Sequence, residues 1–196
     1  ADLKRFSSIC NELIPALGSA HIRHMIHHQH GTFTVLISDN GGRDGAARVV
    51  GGATSQMVAQ PGADGELLIV DVLMITVMSS VARRGLGCQI FGAVERIAKQ
   101  TAAARGSGGA LMYTQSDQGG IASGFWARNG FVHSEEADWL TEALFAWRPA
   151  EHVHYDGITS VIACGQVIFE SGFGQSLSAC LHVGSPPIQM HVLFPV

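Results

Sequence analysis

Residues 71–99 read DVLMITVMSSVARRGLGCQIFGAVERIAK, and the rest of the chain is organised around them. Asp71–Val77 is a nearly unbroken apolar run rich in β-branched residues, the signature of a strand buried on both faces. Val81–Gly87, VARRGLG, is a tight, basic turn punctuated by glycine. From Cys88 onward, Ile90, Phe91, Val94, Ile97 and Ala98 recur at helical spacing, with Glu95, Arg96 and Lys99 on the other side. A strand that passes through a glycine loop into a helix gathers backbone N–H groups at the positive end of the helix dipole. Residues 83–88 therefore read as a dock for a phosphate-bearing ligand. The glycines alone are not specific. GLG is not the GxGxxG of a dinucleotide fold, since position 90 is Ile, and no Gly-Lys-Ser/Thr follows to make a P-loop. An ordinary strand–helix turn has the same local form.

A chain of 196 residues with 46% apolar content suits one domain with a real core. With 14% charged residues and 24 glycines it reads as buried strands and many turns, not as coiled coil or disorder. No apolar run is long enough to span a bilayer, and residues 1–20 carry charges and a proline where a signal peptide would have an apolar centre. A net charge of −4 argues against nucleic acid as the direct ligand, because duplex binding needs concentrated Lys and Arg. Cys10, Cys88, Cys164 and Cys180 show no CxxC spacing and read as reduced, buried cysteines of an intracellular protein. A start at Ala1, on the edge of a helix, suggests a domain cut from a longer chain.

In chain order, residues 2–17 form a helix with Leu3, Phe6, Ile9, Cys10 and Leu13 on one face, closed by Pro15 and Gly18. A second helix covers 19–28. A strand at 32–38 and another at 48–59 flank a turn, DNGGRDG, at 39–45. Gly51 and Gly52 suggest a bulge or a close backbone contact. Residues 60–65 read as a loop before the central strand. After the long helix come a small, glycine-rich stretch at 102–109, a strand at 110–115, a short helix at 120–128 and a strand opening at 130–132. A last strand candidate spans 159–164, and 165–196 holds strand-like pieces without a motif.

Strands flanking a strand–glycine loop–helix, followed by strand–helix–strand, resemble the GNAT superfamily of acetyl-CoA-dependent N-acetyltransferases. Within it the chain resembles the nuclear histone lysine acetyltransferases of the PCAF type. VARRGLG is similar to the superfamily's acyl-CoA loop, Gln/Arg-x-x-Gly-x-Gly/Ala. Residues 122–131, ASGFWARNGF, resemble an Ala-x-Gly-Tyr-Phe-x-x-x-Gly-Phe pattern of that branch, and YDGIT at 155–159, followed by Cys164, resembles its Tyr-Asp/Glu-Gly-Ala-Thr segment. The passage from Ile22 to Leu36 fits the family's helix-to-strand step. The resemblance covers roughly residues 3–164. It implies an acetyltransferase domain over 1–164 and leaves 165–196 as a C-terminal extension.

The implied fold is α/β, a mixed and mostly antiparallel sheet with helices on both faces, splayed near 71–78 to admit acetyl-CoA as acyl donor. The resemblance places the pyrophosphate on Arg83, Arg84, Gly85, Leu86, Gly87 and Cys88. It runs the pantetheine arm beside Ile75, Thr76 and Val77, paired through the main chain as an added strand. It sets Ala122 and Phe125 near the thiol and puts Asp71 where the family has its catalytic glutamate. It also implies a histone or other lysine-rich tail as acceptor, a larger chromatin complex and nuclear localisation; the residues themselves argue against a metal, a membrane or a direct nucleic-acid partner.

The chemistry asks for a base. A free lysine with a pKa of about 10.4 is neutral in roughly one molecule in a thousand near pH 7.4. A carboxylate on an apolar strand suits the task, because desolvation raises its pKa toward the working pH. Leu67–Val70 and Val72–Met74 give Asp71 those neighbours; a strand-end aspartate that caps a turn or pairs with arginine would look the same. Three positions depart from the family pattern. Aspartate is shorter than glutamate by a methylene, about 1 Å of reach, which one more water could fill. Phe125 stands where the pattern has tyrosine, and many of these enzymes protonate the leaving thiolate with a nearby tyrosine. Ala82 replaces the loop's Gln/Arg.

The acidic stretch at 134–151 lies where this branch has its peptide-binding loops and would suit a lysine-rich tail, or else is a solvated loop or amphipathic helix. His21, His24, His27, His28 and His30 crowd one helix and its end. His24 and His28 have the i, i+4 spacing of a metal pair, but no Glu or Cys accompanies them. His152 and His154 alternate as in a strand. Trp126, Phe131, Trp139 and Trp147 read as core.

Overall fold

The computed structural model describes residues 1–27, 31–40, 47–62, 65–107, 109–117, 121–133, 161–169 and 188–193. The turn at 41–45, the acidic stretch at 134–151, YDGIT at 155–159, His28, His30, His152, His154, Trp139, Trp147 and Cys180 lie outside them.

Helix α1 (Asp2–Leu13) buries Phe6, Ile9 and Cys10, spaced to share one face, and Asp2 in its first turn complements the dipole. It stops four residues short of the expected end. The proline ring of Pro15 disfavours helical backbone at Ile14, which sits at φ −130°, ψ 59°, and Pro15–Leu17 form a separate 3-10 turn. Helix α2 (Ser19–His27) follows and buries Ile22, Met25 and Ile26.

Seven strands then make one sheet: β1 (Thr32–Asp39), β2 (Arg48–Gly62), β3 (Gly65–Val77), β4 (Gly109–Asp117), β5 (Val132–His133), β6 (Val161–Phe169) and β7 (Ile188–Leu193). Their spatial order is β5-β6-β4-β3-β2-β1-β7. Among the described strands only β3 and β4 run parallel. Helix α3 (Leu86–Arg105) makes the crossover between them, and α4 (Ile121–Arg128) lies between β4 and β5.

The expected loop at 60–65 is strand at each of its described residues, 60–62 and 65. β2 and β3 stay paired through Pro61↔Glu66 to Gly62↔Gly65. Pairing with β1 ends at Thr32↔Gln56, so Pro61 sits where β2 has one neighbour and no N–H is needed on the other side. Likewise α3 runs through the first half of the stretch read as a glycine-rich connection and closes at Gly106, whose φ of +66° is the left-handed cap glycine supplies. β6 straddles position 164 and pairs with β4 from Gly109↔Phe169 to Asp117↔Val161, while β7 pairs with β1. The sheet therefore draws strands from both segments distinguished in the sequence.

Two cores sit on the two faces. Beneath α3 and α4, Leu68, Val70 and Val72 of β3 pack with Ile90, Phe91, Val94 and Ala98, closed by Trp126 and Phe131. Phe91 meets Trp126 and Phe131 edge-on, with centroids 6.0 and 5.6 Å apart. On the opposite face α1 and α2 cover Leu36, Val49 and Met74. Glu95 and Lys99 of α3, both largely covered, pair at 2.8 Å across one turn. Among the described residues no helix is long and apolar enough to cross a membrane.

Candidate active site

β3 has two halves. From Leu68 to Val72 it is paired on both sides, with β2 and, in register Leu68↔Ala110 to Val72↔Thr114, with β4. Beyond Val72 the pairing with β4 stops, although both strands continue, β3 to Val77 and β4 to Asp117. β4 keeps its place beside β6 to its end. Two parallel strands thus part into a V whose vertex is the rung Val72–Thr114, and Thr114 Oγ1 donates to the Val72 carbonyl oxygen at 2.9 Å there.

A bulge sits at the same place. Thr54 faces Met74 and Ser55 faces Val72, so Leu73 is an extra residue on β3. The extra residue reverses the alternation: Leu68, Val70 and Val72 face α3, and after the bulge it is Ile75 and Val77 that pack on that side. Met74 joins the α1/α2 core, and Thr76 Oγ1 lies 3.5 Å from Cys10 Sγ of α1. Burial of Cys10 pushes its thiol from about 9 to about 11, opposed in part by the contact with Thr76.

Gly51 and Gly52 of β2 bear out both alternatives read for them. Val50 is an extra residue against β1, between the rungs Ile37↔Gly51 and Ser38↔Val49. A Cβ on Gly51 would come 2.6 Å from the Thr76 carbonyl oxygen, and one on Gly52 2.6 Å from that of Val35. Only glycine lets the backbones approach so closely.

Past Val77 the chain makes a 3-10 turn (Ser79–Val81) and the loop 82–85, then enters α3. Gly85 is the N-cap at φ 76°, and no side chain caps the helix. Its first N–H groups are therefore not taken by a capping side chain. Arg83 also has a positive φ, 64°, and is the one described non-glycine residue that does. Arg83, Arg84 and Gly85 are exposed, Gly87 and Cys88 half-buried, and the Leu86 side chain is buried in the core, leaving its backbone to the loop.

Phe125 of α4 reaches this loop. Its Cε2 would stand 3.2 Å from a Cβ on Gly87, and its ring lies edge-on to Phe91 at 6.4 Å. Ala122 is one turn earlier in α4. The structure thus gathers the 83–88 loop, Phe125 and the half-buried Ile75 and Val77 on the α3 side. Thr76 points the other way.

Asp71 is one rung below the vertex and 3% exposed. It shares the face of Ile69, opposite α3, so V and sheet stand between it and the glycine loop. In register beside it are Gln56 of β2 and Tyr113 of β4. Tyr113 escaped the sequence reading. The alternation along β4 shows it as an inward residue, but nothing local to it reveals a carboxylate on the next strand.

The same fold, with a strand V opened at a bulge beside a helix N-terminus in this chain, is found among solved structures. The Arabidopsis thaliana NAA60 in complex with a bisubstrate analogue superposes with a TM-score of 0.56 at 15% identity, over 86% of this chain and 93% of that one. The same protein in complex with acetyl-CoA gives 0.56 at 15%, over 87% and 94%. Tetrahymena GCN5 gives 0.54 at 16%, over 83% and 85%.

This is the GNAT fold.

No family model and no curated protein sequence matches the chain. The splay expected of the GNAT fold at 71–78 is the parting of β3 from β4 after Val72.

Proposed function

We propose that the protein is an acetyl-CoA-dependent N-acetyltransferase that modifies lysine side chains of histone or similar lysine-rich tails by direct transfer, with Asp71 as general base. The observation that carries the reading is the V itself. Its β3 side offers the main chain of Leu73–Val77 with no described strand paired on the β4 side, and its mouth adjoins the uncapped N-terminus of α3. An extended pantetheine arm can add to such an edge as a strand does, and a pyrophosphate can accept from the first N–H groups of the helix. Exposed Arg83 and Arg84 would supply positive charge beside it. The complex of NAA60 with acetyl-CoA on the same fold supports the choice of donor.

Asp71 lies on the opposite face from the loop, which suits a donor entering from one side and an acceptor from the other. The carboxylate takes a proton from the incoming amine, the nitrogen attacks the thioester carbonyl, and the C–S bond breaks to release the thiolate. The likeness of ASGFWARNGF and YDGIT to the histone-modifying branch supports a tail as acceptor, and with it nuclear localisation and a chromatin complex as partner.

Radiolabelled acetyl-CoA, offered with a histone tail peptide, a free polyamine or no acceptor, tests this for wild type and Asp71→Asn. Transfer to the tail alone, lost in the variant, is the expected result. Transfer to the polyamine alone makes it a small-amine enzyme. Tight acetyl-CoA binding without transfer makes it a binding module. Asp71→Glu adds a direction: a gain in rate marks aspartate as a weakened base, a loss marks a site fitted to the shorter side chain.

A further inference from the structure

The rung at the foot of the V is tied by a side chain as well as by main-chain pairing. Val72 of β3 and Thr114 of β4 are the last register partners of these strands, and Thr114 Oγ1 donates to the Val72 carbonyl oxygen at 2.9 Å. To reach a main-chain oxygen of the neighbouring strand, that hydroxyl leans into the interval between β3 and β4. Val72 and Thr114 are 1 and 2% exposed, so the interval is shut at this point. Below it the strands run on in register, Val70 beside Met112 and Leu68 beside Ala110, all in the core under α3. On the other side of β3 the same rung holds Ser55 of β2, also fully buried, whose Oγ makes no hydrogen bond. Of the hydroxyls that flank Val72, only that of Thr114 joins one strand to another.

The open edge above this rung has the length of the donor's arm. Helix α3 crosses back from the Val77 end of β3 to the start of β4, so its N-terminus, and the pyrophosphate proposed there, lie at the mouth of the V. From Val72 to Val77 the edge spans about 16 Å at roughly 3.3 Å per residue. An extended pantetheine arm covers a comparable span between pyrophosphate and sulfur, so its thioester comes to rest beside the closed rung. Direction follows from the chemistry. An amine attacks a thioester carbonyl perpendicular to the plane of its substituents, and here it enters from the Asp71 face. That plane then lies along the sheet. The alkyl part of the acyl group stays between the strands, with Thr114 and the Val72 carbonyl ahead of it.

We infer that Thr114 sets the acyl length: its hydroxyl, tied to Val72, is the floor against which an acetyl group fits and a longer acyl group collides. This rests on the acetyltransferase reading above. A methyl group ends above the tie. Each added methylene has to break the bond from Thr114 to Val72, or force β3 and β4 apart one rung further into a packed core.

The test compares kcat/KM for acetyl-, propionyl- and butyryl-CoA, with the histone tail peptide as acceptor, in the wild type, Thr114→Ala, Thr114→Ser and Ser55→Ala. The wild type should favour acetyl over propionyl by about tenfold or more, the scale of one methylene in a fitted pocket, and should scarcely use butyryl. Thr114→Ala loses the tie, and its propionyl-to-acetyl ratio should rise about tenfold. Thr114→Ser keeps the hydroxyl and should hold the ratio within about threefold of the wild type. Ser55→Ala, on the same rung but outside the V, should leave the ratio in place. A threonine with only a structural role would lower the rate with every donor alike and move no ratio. The wild-type ratios need no variant, so the inference stays testable where Thr114→Ala disturbs folding. A wild type that uses butyryl-CoA as readily as acetyl-CoA overturns the inference and leaves the acetyltransferase standing. So does a ratio unmoved in Thr114→Ala, or one that rises as far in Thr114→Ser or Ser55→Ala. No transfer from any donor removes both.

Discussion

The two halves of β3 have nearly the same composition and opposite fates. Leu68–Val72 has a strand on each side and is buried throughout, with Leu68, Val70 and Val72 in the core under α3 and Asp71 on the other face. Leu73–Val77 keeps only β2; Leu73, Ile75 and Val77 are half-buried, while Met74 and Thr76 are fixed to α1. The step between them is one extra residue, Leu73, and one side-chain bond, Thr114 to Val72. Apolar sequence alone therefore does not say whether a strand is core or binding edge. What decides is whether its neighbour stays.

On the proposed function the paired half carries the chemistry and the parted half the binding, and substitutions can break that division. Asp71→Asn, at the top of the paired half, should reduce kcat by a hundredfold or more with the affinity for acetyl-CoA held within about twofold. Equal losses in both would join the two halves into one function.

Gly51→Ala puts a Cβ 2.6 Å from the Thr76 carbonyl oxygen, a backbone atom that cannot swing aside. Overpacking of this kind costs about 3 kcal/mol, to be read from urea unfolding, and acetyl-CoA affinity should fall with it because the displaced segment is the proposed binding edge. Lost stability with unchanged affinity would separate Leu73–Val77 from binding.

Cys10 holds that same half from behind. Its thiol ionises near 9 in the unfolded chain and near 11 when folded, because burial disfavours the thiolate. The unfolded state thus sheds a proton first as pH rises. The stabilisation is complete below pH 9 and disappears by pH 11, a fall of about 2–3 kcal/mol at 1.4 kcal/mol per unit. Cys10→Ala should lack this slope in unfolding curves across that window. A slope that persists belongs to some other group. The smallest effect is expected for Thr114→Val, about 1 kcal/mol for a buried carbonyl deprived of its side-chain donor, with the V beginning to open one rung earlier in amide exchange.

Much of this architecture is legible in the sequence because it is local. The apolar period marked the buried faces of α1 and α3, and the loop between a β-branched run and a helix located the uncapped helix start. Asp71 stood out as a carboxylate in an apolar run. The left-handed Arg83 had no signal, since arginine is not a residue that advertises positive φ. Nor did the bulge at Leu73: one added residue leaves an unbroken apolar run looking the same. Tyr113 was missed for a different reason. Its significance lies in a parallel register set by the length and packing of α3, and no stretch of either strand contains that information.

The position of β7 has a consequence for how the molecule is made. β1 receives its outer neighbour only when residues 188–193 pair with residues 34–39. At the usual pace of synthesis, about 5–20 residues per second, that neighbour emerges roughly 8–30 s after β1 itself. Throughout this interval TFTVLISD, an apolar strand of high β-propensity, presents a free edge to any other nascent chain. Production of this protein is thus a race between the ribosome and self-association, and slow translation or a truncation before residue 188 should send it to inclusion bodies.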